Sequence, residues 1–206
     1  MATGDGTSRT AGPLAAIVLA AGAGARFGGG KLMAPWRGGV LLDAALATAF
    51  ATRAAEVIVA TGADARIEGA ARAFAERSGQ AGRLRLVHAP DHAEGMGASL
   101  RAGARALPAD CGGVFVFLGD MPRIPPQVLP RLIEALARGG EAAAPVFEGE
   151  RGHPVLFGPG LIPALRGLTG DQGARAVLAG LGPAFVKVPV DDNGVLFDVD
   201  RPEALD

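Results

Sequence analysis

Short apolar segments alternate with helix-forming segments along the first two thirds of the chain. Each apolar run contains β-branched or aromatic side chains, as buried strands do, and the intervening stretches have helical composition. Strands are predicted at residues 14–19, 56–61, 84–88 and 113–118, and helices at 41–54, 63–77, 98–107 and 126–138. This alternation predicts an α/β fold with a mostly parallel central sheet and helices on both faces.

The second half of the chain is less regular. Extended segments are predicted at residues 142–147, 154–157, 184–190 and 195–199. A helix is predicted at 171–179, and a short terminal helix at 201–205, where a proline lies near its N-terminus.

The first predicted strand runs directly into a glycine-rich loop that ends on a cation. Gly22, Gly24, Arg26 and Lys31 are the informative residues of this loop. Glycines let backbone N–H groups approach a polyanion, and the two cations attract phosphate oxygens. The chain has one other lysine, Lys187, so the lysine at the loop end indicates a need for its compact, mobile charge. The loop is therefore predicted to hold phosphate.

Better-known phosphate loops fit this segment poorly. A Walker A loop would need a glycine at Ala25 and a hydroxyl at Leu32. A dinucleotide fingerprint begins well, but its third glycine falls on Phe27. Asp43 lies roughly where a ribose-binding acid would follow, which keeps that alternative open. A plain glycine-rich turn is a further alternative, but it leaves the two cations unexplained.

Aspartates follow two of the predicted strands. Asp120 comes after strand 113–118, in a turn that Gly119 helps to form, and Asp198 and Asp200 alternate along the last predicted strand, on one face. The carboxyl ends of parallel strands open on one edge of a sheet, so Asp120 should face the glycine loop. A carboxylate facing phosphate suggests Mg²⁺, which binds one or two carboxylates plus phosphate oxygens. Each aspartate could instead serve its turn or cap the helix that follows.

Length and composition limit the remaining possibilities. A chain of 206 residues fits one domain, predicted over 14–206, while the small, polar residues 1–13 are predicted to be a disordered leader. The net charge of −1 gives no reason to expect nucleic acid or a membrane as a partner. The single cysteine, Cys111, favours a reducing cytoplasm. The run at 14–19 also imitates a secretory signal, but cleavage after it would sever the glycine loop.

Five motifs, in this order, resemble the molybdenum cofactor nucleotidyltransferases, in particular their cytidylyltransferase branch. They are L-A-A-G-x-G-x-R-F-G-G-x-K at 19–31, L-G-D-M-P at 118–122, R-G-H-P-V-L-F at 151–157, G-D-Q-G-A-R at 170–175 and D-x-D-x-P at 198–202. The resemblance implies a single GT-A-like, Rossmann-like domain. It also implies transfer of CMP from CTP to the terminal phosphate of molybdopterin, with Mg²⁺ as cofactor and pyrophosphate as product.

The resemblance further implies roles for individual residues. Those implied to bind the nucleotide are Ala20, Ala21, Gly22, Gly24, Arg26, Lys31, Ser99 and Gly119, and those implied to be catalytic are Lys31, Arg26 and Asp120. Mg²⁺ would be held by Asp120 and Asp200. The pterin substrate would be received by Arg151, His153, Asp171 and Arg175. Two alternatives stay open, because Ser99 could satisfy its own helix start and His153 could be a structural loop residue.

This chemistry needs no catalytic base, since the attacking phosphate is already anionic at neutral pH. His88 and His92 have no obvious partner, and Cys111 is expected to be a packed small residue.

The family's guanylyl branch tends to carry L-A-G-G where this chain has Ala20-Ala21-Gly22, which favours CTP. The alternatives are use of GTP, a sugar or polyol phosphate acceptor, and a non-catalytic cofactor-delivery protein. A molybdenum hydroxylase of the xanthine dehydrogenase type is the expected recipient.

Overall fold

The computed structural model describes residues 12–24, 27–169 and 173–205. The strands in these residues are β1 (Leu14–Ala20), β2 (Pro35–Trp36), β3 (Gly39–Val40), β4 (Glu56–Thr61), β5 (Leu84–His88), β6 (Gly113–Leu118), β7 (Ala142–Phe147), β8 (Glu150–Arg151), β9 (Val155–Phe157) and β10 (Phe185–Pro189). The α-helices are α1 (Leu41–Ala51), α2 (Arg66–Arg77), α3 (Met96–Arg105), α4 (Val128–Ala137), α5 (Ile162–Arg166) and α6 (Arg175–Ala179).

One large sheet organises the molecule. Its strands lie in the order β10-β7-β9-β6-β1-β4-β5, and β8 pairs with β7. The pairs β6–β1, β1–β4, β4–β5 and β10–β7 are parallel, whereas β9 and β8 pair antiparallel to their neighbours. The predicted α/β class with a mostly parallel sheet is therefore confirmed. After β5 the chain returns to the other side of β1, so strand order reverses between β1 and β6, where sheets of this type bind ligands.

Apolar side chains of β1 alternate between two cores. Ala16 and Val18 pack with helices α1, α2 and α4, while Ala15 and Ile17 pack with α3 and α5. Burial on both faces explains why the strand reads as a continuous apolar run. Gly103 brings α3 close to the sheet, because a Cβ there would lie 2.9 Å from Ile17 Cγ2. No helix in the described part of the chain combines the length and apolarity needed to cross a membrane.

The strands predicted at 56–61, 84–88, 113–118 and 142–147 appear with these bounds, and the first strand and the helices before residue 148 appear with shifted ends. The prediction of a strand at 195–199 is wrong. Residues 193–195 form a 3₁₀ turn, in which the Gly194 amide donates to Asp192 Oδ1 over 2.8 Å. After this turn, the Val199 amide donates a hydrogen bond to the Asp120 carbonyl over 3.0 Å, and Asp120 lies in the loop after β6 and not in a neighbouring strand. Of the predicted helix at 171–179, the described residues 173–179 contain α6 (Arg175–Ala179), and residues 171 and 172 lie outside the described residues. Residues 1–11 lie outside the described residues, so the leader remains a prediction.

Candidate active site

The loop after β1 depends on glycines with left-handed backbone. Gly24 has φ of 62°, and its carbonyl accepts from the Phe27 amide at 2.9 Å and the Gly29 amide at 3.1 Å. A Cβ on Gly24 would lie 3.0 Å from Lys31 Cβ, so the turn passes close to that lysine. Gly22 faces open space instead, and the missing side chain leaves the cavity wall free for a ligand. Backbone rather than side chains therefore forms this wall.

Lys31 joins the loop to the predicted carboxylates. Its Nζ donates to Asp120 Oδ2 at 2.6 Å and to Asp200 Oδ1 at 3.3 Å. The Lys31 side chain is 14% exposed, against 19% for Asp120 and 45% for Asp200. Burial by itself lowers the pKa of the Lys31 ammonium, but the hydrogen bonds and charges of the two aspartates outweigh it and raise the pKa above its ordinary value. A protonated ammonium is thus held where strand ends β1 and β6 meet.

A third carboxylate, Asp198, completes an acidic cluster. Asp120, Asp198 and Asp200 each offer an oxygen, and these oxygens lie within 4.8 Å of one another. Asp120 Oδ1 is buried and has no hydrogen-bond partner among the described residues. Burial, followed by the charges of Asp200 and Asp120, raises the pKa of Asp198. A set of hard oxygen donors with one buried, unsatisfied oxygen fits Mg²⁺ or Mn²⁺.

The cluster is assembled by packing around Val199. The Val199 side chain is fully buried, and its backbone amide donates a hydrogen bond to the Asp120 carbonyl. These two interactions bring Asp198 and Asp200, which flank Val199, to the end of β6. The Arg123 guanidinium lies 3.8 Å from the Phe197 ring centroid and 5.7 Å from that of Trp36. This contact links the C-terminal segment to the β2–β3 hairpin that follows Lys31. The aspartates therefore share a site without sharing a strand.

One cavity, of about 320 Å³, opens beside the glycine loop. It is lined by Leu19, Ala20, Ala21, Gly22, Gly24, Lys31, Leu32, His92, Gly95, Met96, Ser99, Leu118 and Asp120. Ser99 is the fourth residue of α3, and the N-cap position belongs to Gly95, so the serine does not cap its own helix. The cavity therefore brings together most of the residues predicted to bind the nucleotide.

A second cavity, of about 880 Å³, brings together Arg151, His153 and Arg175. Neither arginine has a carboxylate within ion-pair distance among the described residues. Burial, and then the charge of Arg175, lowers the pKa of Arg151. Burial of the His153 ring, and then the charge of Arg151, lowers its pKa to about 4, so this imidazole is neutral near pH 7. Two guanidinium groups without acidic partners suit an anionic ligand.

The two cavities adjoin and share part of their walls. Leu19, Met96, Leu118 and Asp120 line both of them. The acidic cluster thus lies at the junction, with the Lys31 ammonium on one side and the two arginines on the other. A group bound in one cavity can meet a group bound in the other beside Asp120.

Some predicted residues fall elsewhere. Gly119 is buried and lines neither cavity, and its amide donates to the Leu19 carbonyl at 3.0 Å, so its contact with a nucleotide stays a prediction. Asp43 accepts from the Val40 amide at 3.0 Å at the start of α1 and does not line the cavity beside the glycine loop, which removes the basis for the dinucleotide alternative. Arg26 and Asp171 lie outside the described residues, and their roles stay predictions.

Three residues of the site were missed by sequence reasoning. Asp198 is one of them, since the resemblance implies only Asp120 and Asp200 as metal ligands, and the D-x-D spacing is the signal that could have found it. His92 had no recognisable partner in sequence, and nothing marked Met96, which is 50% exposed between the cavities. Cys111 is buried in the core, away from both cavities, as expected for a packed residue.

The chain is similar to a known protein family and to several characterised proteins. Residues 16–185 match the family model of the MobA-like NTP transferase domain. The chain is 29% identical over 190 residues to the molybdenum cofactor cytidylyltransferase of Escherichia coli K12, covering 91% of each chain. It is 32% identical over 196 residues to purine catabolism protein PucB of Bacillus subtilis 168, covering 94% of each. It is also 31% identical over 198 residues to nicotine blue oxidoreductase of Paenarthrobacter nicotinovorans, covering 92% and 93%.

Solved structures share the fold. The crystal structure of Rv0371c from Mycobacterium tuberculosis H37Rv superposes with a TM-score of 0.74 at 26% identity, covering 95% of this chain and 96% of that one. A structure of Rv0371c in complex with manganese superposes with a TM-score of 0.66 at 24% identity, covering 89% and 90%. These similarities agree with the α/β nucleotidyltransferase fold.

Proposed function

Because the chain belongs to the MobA-like NTP transferase domain family, we propose that it transfers CMP from CTP to the terminal phosphate of molybdopterin and releases pyrophosphate. A nucleotidyltransferase must hold a nucleoside triphosphate and an acceptor so that they meet at the α-phosphate. The observation that carries the proposal is the pair of adjoining cavities with Lys31 and the acidic cluster at their junction. The E. coli relative, named for this reaction, supports the choice of substrates.

On the nucleotide side, the loop after β1 would enclose the triphosphate. Gly22 and Gly24 let backbone N–H groups approach phosphate oxygens, and Arg26 would add a second cation. Lys31 would neutralise charge that builds up at the α-phosphate during transfer. Ser99, near the start of α3, would contact the base or ribose. Ala21 lines the cavity, and its methyl would leave less room for a purine than a glycine at this position would, which favours a pyrimidine.

On the acceptor side, Arg151 and Arg175 would bind the phosphate of molybdopterin. Asp171 would contact the same substrate. Neutral His153, whose Nδ1 is buried without a partner among the described residues, offers hydrogen bonding without adding charge. The wide cavity suits a tricyclic pterin better than the narrow one does.

Asp120 and Asp200, together with Asp198, would hold Mg²⁺. When bound there, the ion supplies positive charge against the triphosphate. The protein residues do the positioning, since both substrates must lie in line at the junction. A phosphate oxygen of the acceptor forms the new bond to the α-phosphorus, the bond to the bridging oxygen breaks, and pyrophosphate leaves with that oxygen. No side chain needs to remove a proton from an anionic phosphate.

The decisive experiment measures pyrophosphate release with CTP or GTP, each with and without molybdopterin, and identifies the nucleotide product by mass spectrometry. We expect release only with both substrates present, faster with CTP, and a product with the mass of the cytosine dinucleotide. Turnover with GTP instead would overturn the cytidylyl assignment, and turnover only with a sugar or polyol phosphate would overturn the acceptor. Tight binding of the finished cofactor without any turnover would indicate a delivery protein. The molybdenum hydroxylase recipient and the cytoplasmic location remain expectations from sequence.

A further inference from the structure

His92 lines the nucleotide-side cavity from the segment that joins β5 to α3, whereas Asp120 lines it from the end of β6. In the sheet order β6-β1-β4-β5, these two elements lie on opposite sides of β1. Lys31 and Asp120, which lie on the phosphate side in the proposed function, hydrogen-bond to each other at the β6 and β1 end. In the proposed binding mode the nucleoside therefore extends away from β6, toward His92.

The His92 ring is closely packed against the ends of β1 and β4. A Cβ on Gly62 would lie 2.8 Å from His92 Cγ and 2.7 Å from the Ala21 carbonyl oxygen, so only glycine leaves room for the ring at this point. The side chain is half-buried. Its imidazole is the one aromatic or imidazole side chain among the described residues that line this cavity.

The segment that carries His92 is held in place on both sides. Arg101 Nη2 donates to Asp91 Oδ2 at 3.0 Å and to Glu94 Oε2 at 3.3 Å, and Arg101 Nη1 donates to the Leu168 carbonyl at 2.8 Å. The arginine on α3 thus ties residues on both sides of His92 to the helix. A ring fixed in this way is preorganised to contact a ligand.

We propose that His92 contacts the nucleobase and is a specificity-determining residue of the nucleotide-side cavity. The inference rests on the proposed function and adds a residue to it. An imidazole can stack on a base and can also hydrogen-bond the base edge, and neither contact is possible with a ligand that lacks a base. Ser99 lines the same cavity.

The test measures binding by calorimetry with Mg²⁺ present, for CTP, GTP and inorganic tripolyphosphate, which lacks a base. His92→Ala should weaken CTP binding by about 10-fold or more and bring the CTP and GTP affinities closer together, while tripolyphosphate binding stays within about twofold. His92→Gln, which keeps hydrogen bonding without the ring, should recover part of the loss. The matched control is His88→Ala, since His88 is exposed, lies beside His92 at a ring distance of 6.3 Å and does not line the cavity.

The outcomes separate this inference from the proposed function. If His92→Ala keeps wild-type CTP affinity, or loses CTP and tripolyphosphate equally, the base contact is refuted even where the wild type turns over CTP with molybdopterin. If the selective loss occurs but the wild type transfers CMP to no acceptor, the base contact stands and the transferase assignment fails. Melting temperatures of the variants show whether a loss of binding reflects unfolding.

Discussion

The two cavities on either side of Asp120 are built in different ways. The nucleotide-side cavity has backbone and small side chains along much of its wall, and Ala20, Ala21, Gly22 and Gly24 come from one contiguous stretch. The acceptor-side cavity depends on side chains from separate segments, in particular Arg151, Arg175 and Asp198. Backbone amides recognise a constant group such as a triphosphate, whereas projecting side chains fit one particular acceptor. We infer that binding on the acceptor side depends on individual side chains more than binding on the nucleotide side does.

The charges of the two cavities differ as well. On the nucleotide side the Lys31 cation is already paired with Asp120 and Asp200. On the acceptor side the two arginines have no carboxylate partner in the described part of the chain. A cation that is already paired with a carboxylate must give up part of that ion pair to bind a phosphate. A cation without such a partner can bind an anion directly. Substitutions should therefore affect the junction, the nucleotide side and the acceptor side in distinguishable ways.

The largest effect is expected at the junction, which serves both cavities. Asp120→Asn removes the charge and keeps the shape, so Mg²⁺-dependent turnover should fall by about 10³-fold or more. Asp200→Asn should act more mildly, since that side chain is 45% exposed. Initial rates and Mg²⁺ titrations measure both, with exposed Asp110→Asn as the control. Equal Mg²⁺ affinity in wild type and Asp120→Asn would remove this residue from the metal site.

Lys31→Ala tests the nucleotide side. Loss of a preorganised charge at the reacting phosphate should lower kcat by about 10²- to 10³-fold, with a smaller change in the KM for CTP. The control is Lys187→Ala, which removes the chain's other lysine at an exposed position of β10. Turnover within about threefold of wild type would show that Lys31 has a structural role only.

Arg151→Ala tests the acceptor side separately. Loss of a charge-assisted hydrogen bond, about 1.5–3 kcal/mol, should raise the KM for molybdopterin by about 10- to 100-fold and leave the KM for CTP unchanged. Steady-state kinetics with each substrate varied in turn measures this. Arg138→Ala is the control, because Arg138 is exposed and pairs with Glu134 on α4. A parallel rise in both KM values would mean that the two cavities are not functionally separate.

His153 should make the stability of the acceptor side depend on pH. The unfolded histidine binds a proton near pH 6.5 and the folded one only near pH 4, so protons favour the unfolded chain over this range. The histidine has no such effect above pH 6.5, and stability falls as the pH drops from 6.5 to about 4. Between pH 7 and pH 5 the wild type should lose about 2 kcal/mol more of unfolding free energy than His153→Asn. Urea titrations at both pH values measure the difference, and parallel losses in the two proteins would contradict the prediction.

The smallest effect is expected for the wall beside the base. Ala21→Gly removes one buried methyl, so the preference for CTP over GTP should relax by about 10-fold without reversing. The ratio of kcat/KM values for the two nucleotides measures it, and Ala23→Gly, at an exposed position of the same loop, is the control. A wild type that uses GTP as well as CTP would leave this wall without a selective role.

Local sequence determined the sheet and the nucleotide loop. The apolar runs at β1, β4 and β6 and the glycines after β1 are contiguous in sequence. The runs meet the requirement for burial on both faces of the sheet, and glycine meets the requirement for positive φ, within a few residues. Sheet topology extended this prediction, because the carboxyl ends of parallel strands open on one edge, and Asp120 was therefore expected to face the glycine loop.

Tertiary structure alone decided the position of the C-terminal aspartates and of His92. The alternating pattern at 195–199 predicted a strand. Instead, the Val199 amide donates a hydrogen bond to the Asp120 carbonyl, and the Val199 side chain is buried in the core. Packing, rather than strand pairing, therefore brings Asp198 and Asp200 to the candidate metal site. His92 reaches the cavity because Gly62, distant in sequence, leaves space for its ring. Contacts between segments far apart in sequence leave no local pattern, because their energy depends on the packed core and not on neighbouring residues.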